Sequence, residues 1–124
     1  MIKNKSEILK PFHIGLLSAM PQELGRILDN LINIKEVNFG DLKLYSGIWK
    51  NDKNNDVYIT TGWSGWGKVS AARAATRLLA LEGDTIPIKT LIFTGVAGAL
   101  NHDLKQWDIV VPNKVCQYDM DARP

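Results

Sequence analysis

The sequence is poor in the residues that build cross-links and metal centres. Cys116 is the single cysteine among 124 residues, so an internal disulfide is excluded, and a lone thiol suits a reducing compartment. The histidines, His13 and His102, stand far apart, with no cysteine or carboxylate at ligand spacing, which argues against a zinc site. No apolar run approaches the roughly 18 residues of a membrane span. The basic stretch from Met1 to Lys10 has no apolar core of the kind a signal peptide carries. Neither sign of charge dominates: 15 Lys and Arg against 13 Asp and Glu leave a net charge of +2, scattered along the chain. That balance gives no footprint for nucleic acid or a membrane surface. The expected setting is cytoplasmic, with no nucleic-acid and no membrane partner.

What is present is an ordinary globular composition, with 45% hydrophobic and 23% charged residues, enough for one domain and one core. Residues 1–12 read as a polar leader and 13–124 as the domain. His13 to Ala19 is an apolar run of strand length. Pro21 is placed for a first helical position, and Leu24, Ile27, Leu28 and Leu31 follow at helical spacing. Val37 to Trp49 reads as a hairpin about Gly40-Asp41, with a polar turn at 51–56 and a strand from Asp56 to Thr61. A strong helix is predicted from Lys68 to Leu81, facing the core with Val69, Ala72, Ala75, Thr76 and Leu79, and ended by Gly83. Buried strands are predicted at Thr90 to Thr94 and Trp107 to Val111. The order β-α-β-β-β-α-β-β points to an α/β fold with a mixed central sheet flanked by helices. The run Asp119 to Pro124 neither caps nor closes an element, and reads as a truncated end.

Three segments carry chemistry. Ile14-Gly15-Leu16-Leu17-Ser18-Ala19-Met20-Pro21-Gln22-Glu23 is a strand, a tight turn and a carboxylate in the following turn. Such a Glu is ordinarily a dipole partner. Beside a bound substrate it is also a general base, ionised at neutral pH with a reference pKa of about 4.3. Gly62-Trp63-Ser64-Gly65-Trp66-Gly67-Lys68 imitates a phosphate-binding loop, but Val69 stands where a magnesium-binding hydroxyl is required. A strand-to-helix turn, with Trp66 as an aromatic wall, is the simpler reading. Thr94-Gly95-Val96-Ala97-Gly98-Ala99 is a small-residue turn that lets a flat ligand approach the backbone. In α/β sheets, ligands bind beyond the carboxyl ends of strands. Elsewhere, Ser18, Ser64 and Ser70 lack a nucleophile context. Trp49, Trp63 and Trp107 suit packing or an interface, and Asp119 and Asp121 suit solvent.

As a set, Ile14 to Met20 with Glu23, Gly65-Trp66-Gly67-Lys68-Val69, Thr94 to Gly98, and Asp108-Ile109-Val110-Val111 resemble bacterial methylthioadenosine/S-adenosylhomocysteine nucleosidases of the purine nucleoside phosphorylase-like superfamily. The resemblance covers residues 13 to 121, roughly the first half of that family's domain. It implies hydrolysis of the N-glycosidic bond to adenine and a thioribose, without metal or organic cofactor, commonly by a homodimer. It implies Glu23 as the water-activating base, with Ala19, Met20, Trp66, Val96, Ala97 and Gly98 lining the purine thionucleoside. Met20 would meet the ribose, and Trp66 the 5′-thio pocket, where an aliphatic residue is usual. Two departures stand out: Val96 replaces a hydroxyl residue found in some members, and Trp107 replaces a glycine. The family's ribose-binding glutamate and purine-protonating aspartate fall beyond Pro124, so weak or no turnover is expected of these 124 residues. A non-catalytic nucleoside-binding or partner-binding module, or a phosphorolytic relative, are the alternatives.

Overall fold

The computed structural model describes residues 12–50, 56–81, 86–121 and 123. Five strands form one mixed sheet: β1 (Phe12–Ser18), β2 (Leu31–Phe39), β3 (Leu42–Trp49), β4 (Val57–Trp63) and β5 (Thr90–Phe93), in the spatial order β2-β3-β4-β1-β5. The β2–β3 and β3–β4 pairs are antiparallel. β1 lies between β4 and β5 and is parallel to both. Helix α1 (Lys68–Leu79) leads from β4 towards β5 and is the one α-helix among the described residues.

The core lies between α1 and one face of the sheet. Leu17, Leu42, Leu44, Ala74 and Leu78 are buried there, with Val37, Ala75, Leu81 and Ile88 packed around them. Gly15 sets the spacing. A Cβ on it would lie 2.9 Å from Leu78 Cδ2 and 3.1 Å from both Ile88 and Leu91 side chains. The helix therefore rests directly on the backbone of β1. The hairpin tip is clipped to the same helix, because Asp41 in the turn pairs with both Arg73 and Arg77.

The structure corrects the sequence reading at four places. The helix expected from Pro21 is two short 3-10 turns, Pro21–Leu24 and Leu28–Asn30. Gly25, at φ 54°, interrupts it, and Leu31 is taken by β2, where it pairs with Trp49. The buried stripe of α1 is Ala74 and Leu78 with Ala75, whereas Val69, Ala72, Thr76 and Leu79 face solvent. Both stripes have helical spacing, and the bare backbone at Gly15 decides which one docks. The strand at Thr90 forms but is an edge, and Leu91, Ile92 and Phe93 are exposed. Trp107 to Val111 is not a strand: it finds no ladder partner among the described residues, and Trp107, Ile109 and Val111 are exposed. The leader lies outside the described residues except for Phe12, which opens β1. Most of the polar turn at 51–56 and the expected cap Gly83 also lie outside them.

Candidate active site

Three parallel strands end side by side, and each hands the chain to one of the three chemistry-bearing segments. β1 ends at Ser18 before Met20 and Glu23, β4 ends at Trp63 before Ser64 to Gly67, and β5 ends at Phe93 before Gly95 to Gly98. Backbone bonds continue the ladder past the strand ends. Thr94 N–H donates to Leu17 O at 2.8 Å, Ser64 N–H to Ser18 O at 2.8 Å, and Gly65 N–H to Ala19 O at 3.1 Å. The three exits are thus locked to one another, at the place where open α/β sheets take ligands.

Glu23 sits in this junction. Its Oε2 accepts from the backbone N–H of Ala19 at 2.8 Å and of Met20 at 3.0 Å. Its Oε1 accepts from Val96 N–H at 3.2 Å, from the far side of the crevice. An ionised carboxylate offers about four acceptor positions. With three taken by backbone donors, Oε1 keeps one free among the described residues. These bonds, Val96 first and then Met20 and Ala19, hold the Glu23 pKa below its ordinary value against the opposing pull of desolvation. The carboxylate is ionised, oriented, and left with room for one further donor.

Of the expected site residues, Ala19, Met20, Val96 and Glu23 are joined by these hydrogen bonds. Trp66 projects from the neighbouring loop with 77% of its surface exposed. Ala97 and Gly98 are exposed, and among the described residues no atom beyond its chain neighbours lies within 4 Å of where a Gly98 Cβ would stand. Sequence reasoning did not single out Gly95 by itself. A Cβ there would lie 3.1 Å from Glu23 Oε1 and 3.4 Å from Cδ. The only available signal was its place inside the small-residue turn.

The resemblance to a phosphate loop ends in the geometry. Gly62 is buried in β4, where a Cβ would lie 2.7 Å from Leu44 Cδ2. Gly67 is needed for its backbone, since φ 93° with ψ 160° at the start of α1 is a glycine conformation. Lys68 is committed elsewhere: its Nζ donates to both carboxylate oxygens of Asp119, at 2.8 and 2.6 Å. Asp119 is therefore paired rather than simply solvated, and Asp121 pairs with Arg123. Ser18 Oγ is spent on Met20 O, and Ser64 Oγ on Gly65 O. Trp63 stacks on Tyr45 with ring centroids 5.9 Å apart, a packing role. His13 is held between Ile86 O and Thr60 Oγ1, and Thr60 in turn meets Ser46.

This junction and sheet define a class. The chain belongs to the phosphorylase superfamily, whose family pattern matches residues 13–124. Within that superfamily it is similar to the 5′-methylthioadenosine/S-adenosylhomocysteine nucleosidase of Buchnera aphidicola subsp. Schizaphis graminum, with 38% identity over 109 residues, covering 87% of this chain and 42% of the relative. In three dimensions it is similar to the Helicobacter pylori enzyme of the same name, solved with butyl-thio-DADMe-Immucillin-A. That match has a TM-score of 0.63 and 29% identity, and covers 77% of this chain and 38% of that one. The native futalosine hydrolase of Helicobacter pylori matches with a TM-score of 0.62 and 29% identity, over 76% of this chain and 37% of that one. The chain spans about two fifths of the length of these proteins.

Proposed function

We propose that this chain carries the water-activating half of a purine thionucleoside hydrolase acting on methylthioadenosine or S-adenosylhomocysteine. The observation that carries the proposal is the Glu23 carboxylate, pinned by three backbone amides at the shared exit of β1 and β5, with one acceptor position unused. A water bound there would give its proton to Glu23 as its oxygen bonds to the anomeric carbon. The glycosidic C–N bond breaks, and its electron pair leaves with the purine, which takes up a proton from solvent. A carboxylate held below its usual pKa is a weak base. That suits an oxocarbenium-like transition state, in which the carbon is already electron-poor and the water needs orientation more than deprotonation. The anion beside the developing cation adds electrostatic stabilisation. Ala19, Met20, Val96, Ala97 and Gly98 would border base and ribose, and Trp66 would set the fit of the 5′ group.

The likeness to a futalosine hydrolase at equal identity supports a second reading, in which the substrate is futalosine rather than a thioadenosine. The remaining features of the proposal are a cytoplasmic setting, a role in methionine salvage, and a homodimer. Among the described residues, no helix is long and apolar enough to cross a membrane.

The test is incubation of the 124-residue chain with methylthioadenosine in phosphate-free buffer, with adenine followed by chromatography and binding by calorimetry. Saturable binding, with slow adenine release that Glu23→Gln abolishes, is the expected result. Release that requires phosphate would make the chain a phosphorolytic relative. Tight binding with no release, even by a chain extended past Pro124, would mark a binding module. Neither binding nor release would overturn the proposal.

A further inference from the structure

We infer that Gly95 is a positioning residue for Glu23: the absence of a side chain at this position lets the carboxylate lie against the β5 exit and capture the Val96 amide. The inference rests on the reading of Glu23 as the base, and explains how a carboxylate carried by the exit of one strand is held by the exit of another.

The argument is one of space. Gly95 does not occupy the left-handed backbone region that glycine alone tolerates; the positive-φ glycines among the described residues are Gly25, Gly40, Gly65 and Gly67. Nor is it packed in the core, since it is exposed. Backbone conformation and burial therefore both permit alanine. What a Cβ would meet is the Glu23 carboxylate, 3.1 Å from Oε1, 3.4 Å from Cδ and 3.6 Å from Oε2, and the three nearest atoms within 4 Å all belong to Glu23. A contact of 3.1 Å is a few tenths of an ångström too close, and the flexible Glu side chain is the partner that must yield.

The direction of that movement matters. Ala19 and Met20 hold Oε2 at 2.8 and 3.0 Å, so the carboxylate has firm bonds on its own strand's side. The Val96 bond to Oε1 is the longest of the three at 3.2 Å. Bonds to charged acceptors prefer about 2.7–2.9 Å, so this one has the least length to spare. A methyl group at 95 pushes Oε1 away from β5 and breaks the Val96 contact first. Glu23 is then left attached to β1 alone, its free acceptor position turned out of the crevice.

The experiment uses the full chain with a carbon-13 label at the Glu23 carboxyl and nitrogen-15 throughout. In the parent, the Val96, Ala19 and Met20 amide protons should titrate together with the Glu23 carboxyl. In Gly95→Ala, the Val96 amide should cease to follow it while Ala19 and Met20 continue, and the Glu23 midpoint should move upward. Gly98→Ala places the same methyl group in open space, and should leave the Glu23 titration as in the parent. A thermal-unfolding cycle covers a poorly folded variant: Gly95→Ala should lower Tm in the parent and have no effect in a Glu23→Ala background, where the space is vacant. A Val96 amide that still tracks Glu23 with an unchanged midpoint in Gly95→Ala, or an equal Tm loss in both backgrounds, overturns the inference. Failure of the hydrolase reading shows instead as absent methylthioadenosine binding together with absent adenine release, from a parent chain whose amides titrate as described.

Discussion

Val96 and Glu23 lie 73 positions apart in the chain and 3.2 Å apart in the fold, amide nitrogen to carboxylate oxygen. Because this bond and those from Met20 and Ala19 favour the ionised form, the folded-state pKa of Glu23 lies below its unfolded value. Its contribution to stability is therefore complete above the unfolded value of about 4.3, and is lost as the pH falls through the lower folded one. Glu23→Gln should lower Tm at neutral pH, since an amide turned towards any of the three donors meets N–H with N–H. The difference from the parent should shrink in acid, where the parent carboxyl is itself protonated. Thermal scans from pH 7 to pH 2 check both the sign and the window.

Gly15→Ala should destabilise the chain by about 1–3 kcal/mol, the usual cost of overpacking a filled interior. The methyl group would lie 2.9 Å from Leu78 and 3.1 Å from Ile88 and Leu91, so the helix has to lift from β1. Adding Leu78→Val should recover part of the loss, and urea unfolding of the two variants measures it.

Asp41 makes ion pairs with Arg73 and Arg77 that bring its pKa down to about 2. Asp41→Asn should lower Tm near pH 6 by unfastening the β2–β3 tip from α1. The effect should be full above the unfolded value of 3.8 and vanish as the pH falls through about 2. It should also weaken in high salt, because the aspartate is more than half exposed.

Trp107 is a bulky residue at φ 76° with 89% of its surface exposed. Left-handed backbone costs a non-glycine residue about 1–2 kcal/mol, whereas glycine gives back about 0.5–1 kcal/mol through the flexibility of the unfolded chain. Trp107→Gly should therefore stabilise the chain by roughly 0.5–1 kcal/mol. A lower midpoint in chemical unfolding would mean that the indole makes contacts worth more than its strain.

Strands β1, β3 and β4 and helix α1 were legible because each carries its apolar pattern within a single run of residues. The helix predicted after Pro21 failed for a local reason and a distant one: Gly25 breaks the run, and Leu31 pairs with Trp49. The docking face of α1 was illegible from the helix alone, since Val69-Ala72-Leu79 and Ala74-Leu78 are both helical stripes and the choice is written in β1, at Gly15. The strand expected at Trp107 to Val111 has strand composition, but a strand exists only with a neighbour. At the site, Glu23 and the small-residue turn could be read from motif order. Gly95 could not be isolated, because what it contributes is empty volume, visible only once the carboxylate of another segment stands beside it.

The position of β1 between β4 and β5 has a kinetic consequence. β1 precedes both partners in the chain, yet Phe12 pairs with Val57 and Ile14 with Thr90. A chain emerging from a ribosome must carry this apolar strand unsatisfied until distant sequence arrives, and such non-local pairing is slow to form. The last partner to arrive is β5, with Gly95 and Val96 directly behind it. Before β5 docks, Glu23 can reach only the donors of its own turn, so the Val96 bond waits on this non-local pairing. The Val96 amide thus reports locally whether the β5 exit has met Glu23.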